Sequence, residues 1–246
     1  MAKTFVVTGA SRGIGLAIAE YLISKSHNVV ILARSKEPLE KLRAENPKQV
    51  RALAGDLNES AVAKKAVDSA IEAFGQLDGL VVNHGAMFGV NRVADCDIDE
   101  WRKMFDINYF SAVAFTQAAL PALRKTKGSI VYTSTGASTG AYQAWGAYSA
   151  SKAAVNCLAK QIACEEPDVA AFSIRPGVVD TEMQRSLRET HAAKMADKDN
   201  VKFRVAYQNK TLLQPEQPGH VMAKLILDPD RSLNGQYLRY ASGTAV

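Results

Sequence analysis

Thr8-Gly9-Ala10-Ser11-Arg12-Gly13-Ile14-Gly15 lies between the β-branched run Thr4 to Thr8 and the stretch Leu16 to Ser24, where Leu16, Ile18, Ala19, Leu22 and Ile23 recur at helical spacing. A strand, a glycine-rich turn and a helix in that order form a receptacle for a pyrophosphate. The glycines allow a tight turn and close backbone approach, and the unpaired N–H groups of the helix start attract the anion. Residues 8–15 therefore predict dinucleotide binding through Gly9, Ser11, Arg12, Gly13, Ile14 and Gly15.

The same rhythm continues outward. Strand-like runs at Val29 to Ala33, Val50 to Ala54, Gly79 to Val82, Ser129 to Thr133, Val169 to Ile174 and Gly235 to Tyr240 alternate with helical stretches. Those stretches are Pro38 to Glu45, Ser60 to Phe74, Tyr109 to Arg124 and Ser149 to Glu165. Strands apolar on both faces and separated by helices predict an α/β fold, a parallel sheet covered on both sides. No linker or repeat divides the chain, so residues 1–246 are expected to form a single domain. Asp180 to Leu213 breaks the rhythm: it is charged, helix-prone and followed by Gln214-Pro215, and is expected to be a lid (180–213) over the carboxyl edge of the sheet.

Composition narrows the function classes. Hydrophobic residues at 47% and charged residues at 22% are those of a globular chain with a sizeable core, not a disordered one. An excess of five positive charges admits an anionic partner, but the densest basic stretch, Arg124-Lys125-Thr126-Lys127, precedes Gly128 where a helix ends, and complements the helix dipole. No nucleic-acid partner is expected. Residues 1–30 hold no signal peptide, and no apolar run is long enough to span a bilayer, so no membrane association is expected. Cys96, Cys157 and Cys164, an odd number without a C-x-x-C pair, predict a reduced, cytoplasmic protein, Cys157 and Cys164 being packing residues on one helix face. His27, His191 and His220 show no ligand spacing, and no metal site is expected.

Charge also bears on which dinucleotide binds. An NAD site places an acid after the second strand to accept from the ribose hydroxyls. Here that position reads Ala33-Arg34-Ser35, and Arg12 stands in the glycine turn, so two guanidiniums and a hydroxyl suit the 2′-phosphate of NADP(H). In Asp56-Leu57, at the end of the third strand, Asp56 either receives the adenine amino group or caps the helix from Ser60. Tyr148 and Lys152 stand at i and i+4 on one helix face. Alone the pair is an ordinary surface contact. Downstream of a nucleotide turn, an ammonium beside a phenol is a means of bringing the phenol into acid-base range.

These stretches together resemble the short-chain dehydrogenase/reductase family. Thr8-Gly-x-x-x-Gly-x-Gly15, Asp56, Asn83-x-Gly85, Asn108, Ser134/Thr135, Tyr148-x-x-x-Lys152 and Pro176-Gly177-x-x-x-Thr181 fall in the family's order over nearly the whole chain. The resemblance implies a Rossmann-type doubly wound parallel sheet of about seven strands in three αβα layers, NAD(P)-dependent exchange of carbonyl and alcohol, and a homodimer or homotetramer. It further implies that Tyr148 protonates a small-molecule carbonyl substrate and that Lys152 holds the nicotinamide ribose and lowers the Tyr148 pKa. Asn108 is implied to fix a water of a proton relay, and Pro176, Gly177, Val179 and Thr181 to close over the nicotinamide. Asn83 and Gly85 join the cofactor site, and His84, where the family commonly has alanine, is expected to be structural. The substrate-orienting hydroxyl lies thirteen residues before the tyrosine, which is Thr135, whereas residue type favours Ser134.

Within the family, Ala144 to Tyr148, Val178 to Gln184 and Asn234 to Leu238 resemble the sepiapterin and benzil reductases. That likeness implies NADPH-dependent reduction of a ketone or vicinal diketone, with Tyr142, Trp145, Met183 and Phe203 either walling a planar substrate or packing a core. Two alternatives are a non-catalytic NADP(H)-binding sensor, opposed by the presence of both Tyr148 and Lys152, and an NAD-linked alcohol dehydrogenase, opposed by Arg12, Ala33 and Arg34.

Overall fold

Seven strands stand parallel in the order β3-β2-β1-β4-β5-β6-β7. They are β1 (Thr4–Thr8), β2 (Asn28–Ala33), β3 (Val50–Ala54), β4 (Gly79–Val82), β5 (Ser129–Thr133), β6 (Ala170–Arg175) and β7 (Tyr237–Ala241). The two-residue β8 (Thr244–Ala245) pairs antiparallel with β7. The computed structural model describes residues 1–241 and the backbone of 244–245. The result is the expected Rossmann-type α/β sheet. Strand order reverses between β1 and β4, paired in register at Val6 and Leu80, and this switch point opens a crevice at the carboxyl ends of the two strands.

Burial of both sheet faces explains the uninterrupted apolar strands. On one face Phe5, Val7, Ile31 and Phe172 pack against α1 (Gly13–Ser24), α2 (Lys36–Glu45) and α9 (Glu216–Leu227) through Ile18, Leu39 and Met222. On the other, Val6, Leu32, Leu80 and Ile130 meet α3 (Ser60–Phe74), α5 (Ser111–Thr126) and α6 (Gly146–Glu165) through Ala66, Phe115 and Ala159. Each of these strand side chains is wholly buried, a gain of about 1.5–3 kcal/mol apiece.

Three features depart from the periodicity. Helices α4 (Ile98–Phe105) and α9 carry no expectation from the pattern. Between α4 and α5 the chain makes a π-helical turn, Asp106–Phe110, so the expected helix from Tyr109 is the tail of this turn followed by α5. Cys157 and Cys164 are exposed free thiols, not packing residues, because α6 turns that side away from the sheet. The segment 180–213 folds as α7 (Glu182–Glu189), a short 3-10 turn and α8 (Asp197–Gln208). Its ends are joined by a parallel bridge between Val179 and Leu213, with the Leu213 N–H donating to the Val178 carbonyl at 2.9 Å.

Candidate active site

A cleft of about 960 Å³ runs along the carboxyl edge of the sheet, from Arg34 and Asp56 at one end to Phe203 and Tyr207 at the other. Its floor is the switch point. Asn83, just beyond β4, ties three strand ends together: its N–H donates to Thr8 Oγ1 at 2.9 Å, its Nδ2 donates to the Thr8 carbonyl at 3.3 Å, and its Oδ1 accepts from Thr133 Oγ1 at 3.0 Å. Gly9 turns with φ of 67°, and a Cβ on Gly15 would stand 2.3 Å from the Gly9 carbonyl oxygen, so both positions exclude a side chain. The α1 N-terminus, which follows, has no side-chain cap and no acid in its first turn. Gly13 and Ile14 at that N-terminus line the cleft, the donor-rich cradle that a pyrophosphate fits.

Arg12 and Arg34 are exposed on the rim of the cleft and neither forms an ion pair among the described residues; Ser11, Ser35 and Leu57 lie alongside. Asp56 does not cap the helix from Ser60. Its Oδ1 accepts from the Asn58 N–H at 3.0 Å, and Glu59 holds the N-cap position of α3, so the aspartate closes a tight turn two residues short of the helix. Of the expected nucleotide residues only Gly15 is absent from the cleft wall; it packs beneath the turn.

At the middle of the cleft α6 presents Tyr148 and Lys152, with Ser151 wholly buried behind them. Helix α6 starts at Gly146, three residues earlier than expected, which places Tyr148 within its first turn. Lys152 is 4% exposed, and its Nζ donates to the Thr133 carbonyl at 2.8 Å; burial lowers its pKa to about 8. Burial pushes the Tyr148 phenol up to about 12, with a hydrogen bond from the Thr135 side chain acting in the opposite direction. The Thr135 hydroxyl thus faces the phenol, and its Oγ1 also accepts from the Ala137 N–H at 3.3 Å. Ser134 is 3% exposed and its Oγ donates to Ser138 Oγ at 3.4 Å. Pro176, Gly177, Val179 and Thr181 line the cleft between β6 and α7.

Asn108 stands behind the cleft wall. It is 2% exposed in the π-turn. Its Oδ1 accepts from the Ala86 N–H at 2.8 Å, while Nδ2 donates to the Ala86 carbonyl at 3.0 Å and to Ser151 Oγ at 3.1 Å. The amide therefore clamps the loop after Gly85 to α6. His84 is buried beside it, with Nδ1 2.8 Å from Thr8 Oγ1 and Nε2 2.7 Å from Ser111 Oγ. Since the Ser111 hydroxyl donates to the Ile107 carbonyl at 2.6 Å, its oxygen is left to accept from Nε2–H. Burial, then the Lys152 charge, lower the His84 pKa to about 3, so the imidazole is neutral.

The far end of the cleft is aromatic. Trp145 stacks on Tyr142 at 4.7 Å and on Phe203 of α8 at 5.8 Å between ring centroids, and meets Tyr148 edge-on at 6.0 Å. These rings pack one another and line the cleft. Several lining residues went unmarked by sequence reasoning. Arg175 ends β6 with its guanidinium over Gly136; beneath the lining, Tyr237 of β7 donates its hydroxyl to the Thr135 carbonyl at 2.8 Å. Gln184 and Arg188 of α7 complete the wall. Gln184 lay inside a recognisable stretch; nothing local distinguishes Arg175 or Arg188 from surface arginines. Among the described residues no group of three or more His, Cys, Asp or Glu side chains could hold a metal ion, and no helix is long and apolar enough to cross a membrane.

A profile of the short chain dehydrogenase family matches residues 3–192. The chain is 39% identical over 256 residues to benzil reductase ((S)-benzoin forming) of Saccharomyces cerevisiae, covering 98% of this chain and 96% of that one. It superposes on the crystal structure of a short chain dehydrogenase/reductase from Saccharomyces cerevisiae with a TM-score of 0.94 at 40% identity, covering 97% and 96% of the two chains. An alcohol dehydrogenase from the archaeon Thermococcus sibiricus, solved with 5-hydroxy-NADP, is 27% identical with a TM-score of 0.80, over 98% of this chain and 97% of that one.

Proposed function

The chain belongs to the short-chain dehydrogenase/reductase family, whose members use nicotinamide cofactors, and on that premise we propose that it is an NADPH-dependent carbonyl reductase turning a ketone or vicinal diketone into an alcohol. The observation that carries the reading is the convergence of Tyr148, Thr135 and Lys152 in one cleft with the uncapped α1 N-terminus. The choice of NADP(H) rests on Arg12 and Arg34 at the rim, where Arg34 and Ser35, not an acid, directly follow β2. The likeness to a benzil reductase supports a diketone or aryl ketone as substrate.

The reduced nicotinamide, when bound, supplies a hydride to the carbonyl carbon. Lys152 would hold its ribose hydroxyls, and Pro176, Gly177, Val179 and Thr181 would cover the ring. Tyr148, its pKa raised by burial, is protonated at neutral pH and gives that proton to the carbonyl oxygen, which balances the reduction. The Thr135 hydroxyl donates to the same oxygen and stabilises the charge that develops there. Lys152 then favours the phenolate that Tyr148 leaves, with reprotonation passing by way of its ammonium. Asn108 positions α6 against the Ala86 loop, and Ser134 packs behind the reacting groups.

The reading extends to one domain, 1–246, with 180–213 as substrate lid, to a homodimer or homotetramer, and to the cytoplasm, where three free cysteines stay reduced. Titration of the purified protein with NADPH and NADH, followed by benzil, simple ketones and quinones as substrates, tests it. Tighter binding of NADPH and turnover of at least one diketone are expected. Failure to turn over any carbonyl removes the reading.

A further inference from the structure

The lid side of the cleft holds polar groups that the reaction as described does not use. Gln184 is 5% exposed, and neither its Oε1 nor its Nε2 has a hydrogen-bond partner. Arg188, one turn further along α7, has a buried Nη1 without a partner, and Trp145 has a buried, unpartnered Nε1–H. All three line the cleft beside the aromatic stack. A buried amide or guanidinium nitrogen left unpaired costs about 1–3 kcal/mol or more, so these three donors, each on a residue that lines the cleft, stay unsatisfied until an acceptor reaches them.

The charge of that acceptor follows from the surroundings. The Arg188 guanidinium lies 4.1 Å from the Tyr207 ring centroid, which holds its plane, and no carboxylate pairs with it among the described residues. The acids nearest in sequence are accounted for, Glu182 and Glu189 pairing with Arg185. Asp180, which also lines the cleft, is exposed at its mouth. Lys202 adds a second cation, its Nζ 5.8 Å from the Tyr142 and Phe203 rings. A planar fork beside an amide and an indole N–H suits a carboxylate, whereas a second neutral carbonyl would leave the guanidinium charge unanswered.

We propose that the substrate of this cleft is an oxo acid with an apolar or aromatic body, its carboxylate bound by Arg188 and Gln184 and its body stacked on Tyr142, Trp145 and Phe203. The inference rests on the carbonyl-reductase reading and narrows its substrate class. Phenyl-substituted 2-, 4- and 5-oxo acids, each paired with its methyl ester, are assayed with NADPH beside benzil as a neutral reference.

For the best-fitting chain length the acid is expected to exceed its ester in kcat/KM by about tenfold or more, the scale of losing a charged hydrogen bond. Arg188→Met is expected to bring that ratio to about one. Direct binding keeps the test independent of a poorly folding variant: calorimetry on the wild-type protein loaded with NADP should show 4-phenylbutyrate binding at least about tenfold tighter than 4-phenylbutyramide. Esters matching their acids throughout, an acid preference that survives in Arg188→Met, or equal binding of the two phenylbutyryl compounds overturns the inference while leaving carbonyl reduction standing. No turnover of any acid, ester or diketone overturns both.

Discussion

Two neighbouring hydroxyls, Ser134 and Thr135, separate what residue type suggests from what geometry supports. Spacing to Tyr148 favours the threonine, and the structure turns the Thr135 side chain to the phenol while Ser134 points to Ser138. Thr135→Val is therefore expected to lower kcat by about a hundredfold or more, the cost of one oxyanion donor, and Ser134→Ala to change it by less than about tenfold. Steady-state kinetics on the two variants checks this, and a larger loss in the serine variant would reverse the assignment. Arg34 belongs to the same scale. Removing its guanidinium and adding an acid where ribose hydroxyls would sit should move the NADPH to NADH ratio of kcat/KM toward NADH by about tenfold to a hundredfold in Arg34→Asp. An unchanged ratio would end the NADP(H) assignment. Tyr148, Lys152 and the glycines were legible because their spacing is itself the chemistry. Arg175 and Arg188 were not, because their neighbours come from other elements.

At the scale of elements, the strands and the helices that cover them were readable because each has one period and one neighbour. Helix α9 was missed: it buries Val221, Met222, Ala223, Leu225 and Ile226, on more than one face, and its first turn carries Pro218-Gly219, a pair that reads locally as a turn. The π-turn was illegible for a different reason. An extra residue in the helical ladder is set by tertiary contacts, here the clamp of Asn108 on Ala86 and Ser151, and no local propensity encodes it. The junction of β1 and α1 makes an element-level prediction. In Gly15→Ala the new Cβ would meet the Gly9 carbonyl oxygen at 2.3 Å, a backbone atom that cannot rotate aside. The variant is expected to lose about 1–3 kcal/mol of stability and to bind either nicotinamide cofactor at least about tenfold more weakly, measured by urea unfolding and by cofactor fluorescence. Retention of both would show that the turn tolerates a wider opening.

For the whole molecule, two buried titratable groups in the cleft wall should dominate the dependence of stability on pH. His84 is depressed from 6.5 to about 3, so below pH 6.5 the unfolded chain takes up a proton that the folded one refuses, and stability falls as pH drops toward 3. Lys152 is depressed from 10.5 to about 8, so its penalty is in full force below about pH 8 and is relieved as pH rises from there to 10.5. A tenfold change in proton affinity on folding corresponds to about 1.4 kcal/mol, which gives a loss of about 2 kcal/mol between pH 7 and 5 from His84 and a gain of about 3 kcal/mol between pH 8 and 10.5 from Lys152. Other groups add their own slopes, so the prediction is made as a difference. Against His84→Gln, which keeps a hydrogen-bonding side chain but cannot be protonated, the wild type should lose about 2 kcal/mol more on going from pH 7 to 5. Against Lys152→Met it should recover about 3 kcal/mol between pH 8 and 10.5, both read from urea unfolding without cofactor. Parallel curves for a variant and the wild type would mean that water reaches that group in solution. If the group were Lys152, the ammonium held to Thr133 at neutral pH would be a hydrated surface cation, and its charge would act on Tyr148 through a far higher dielectric.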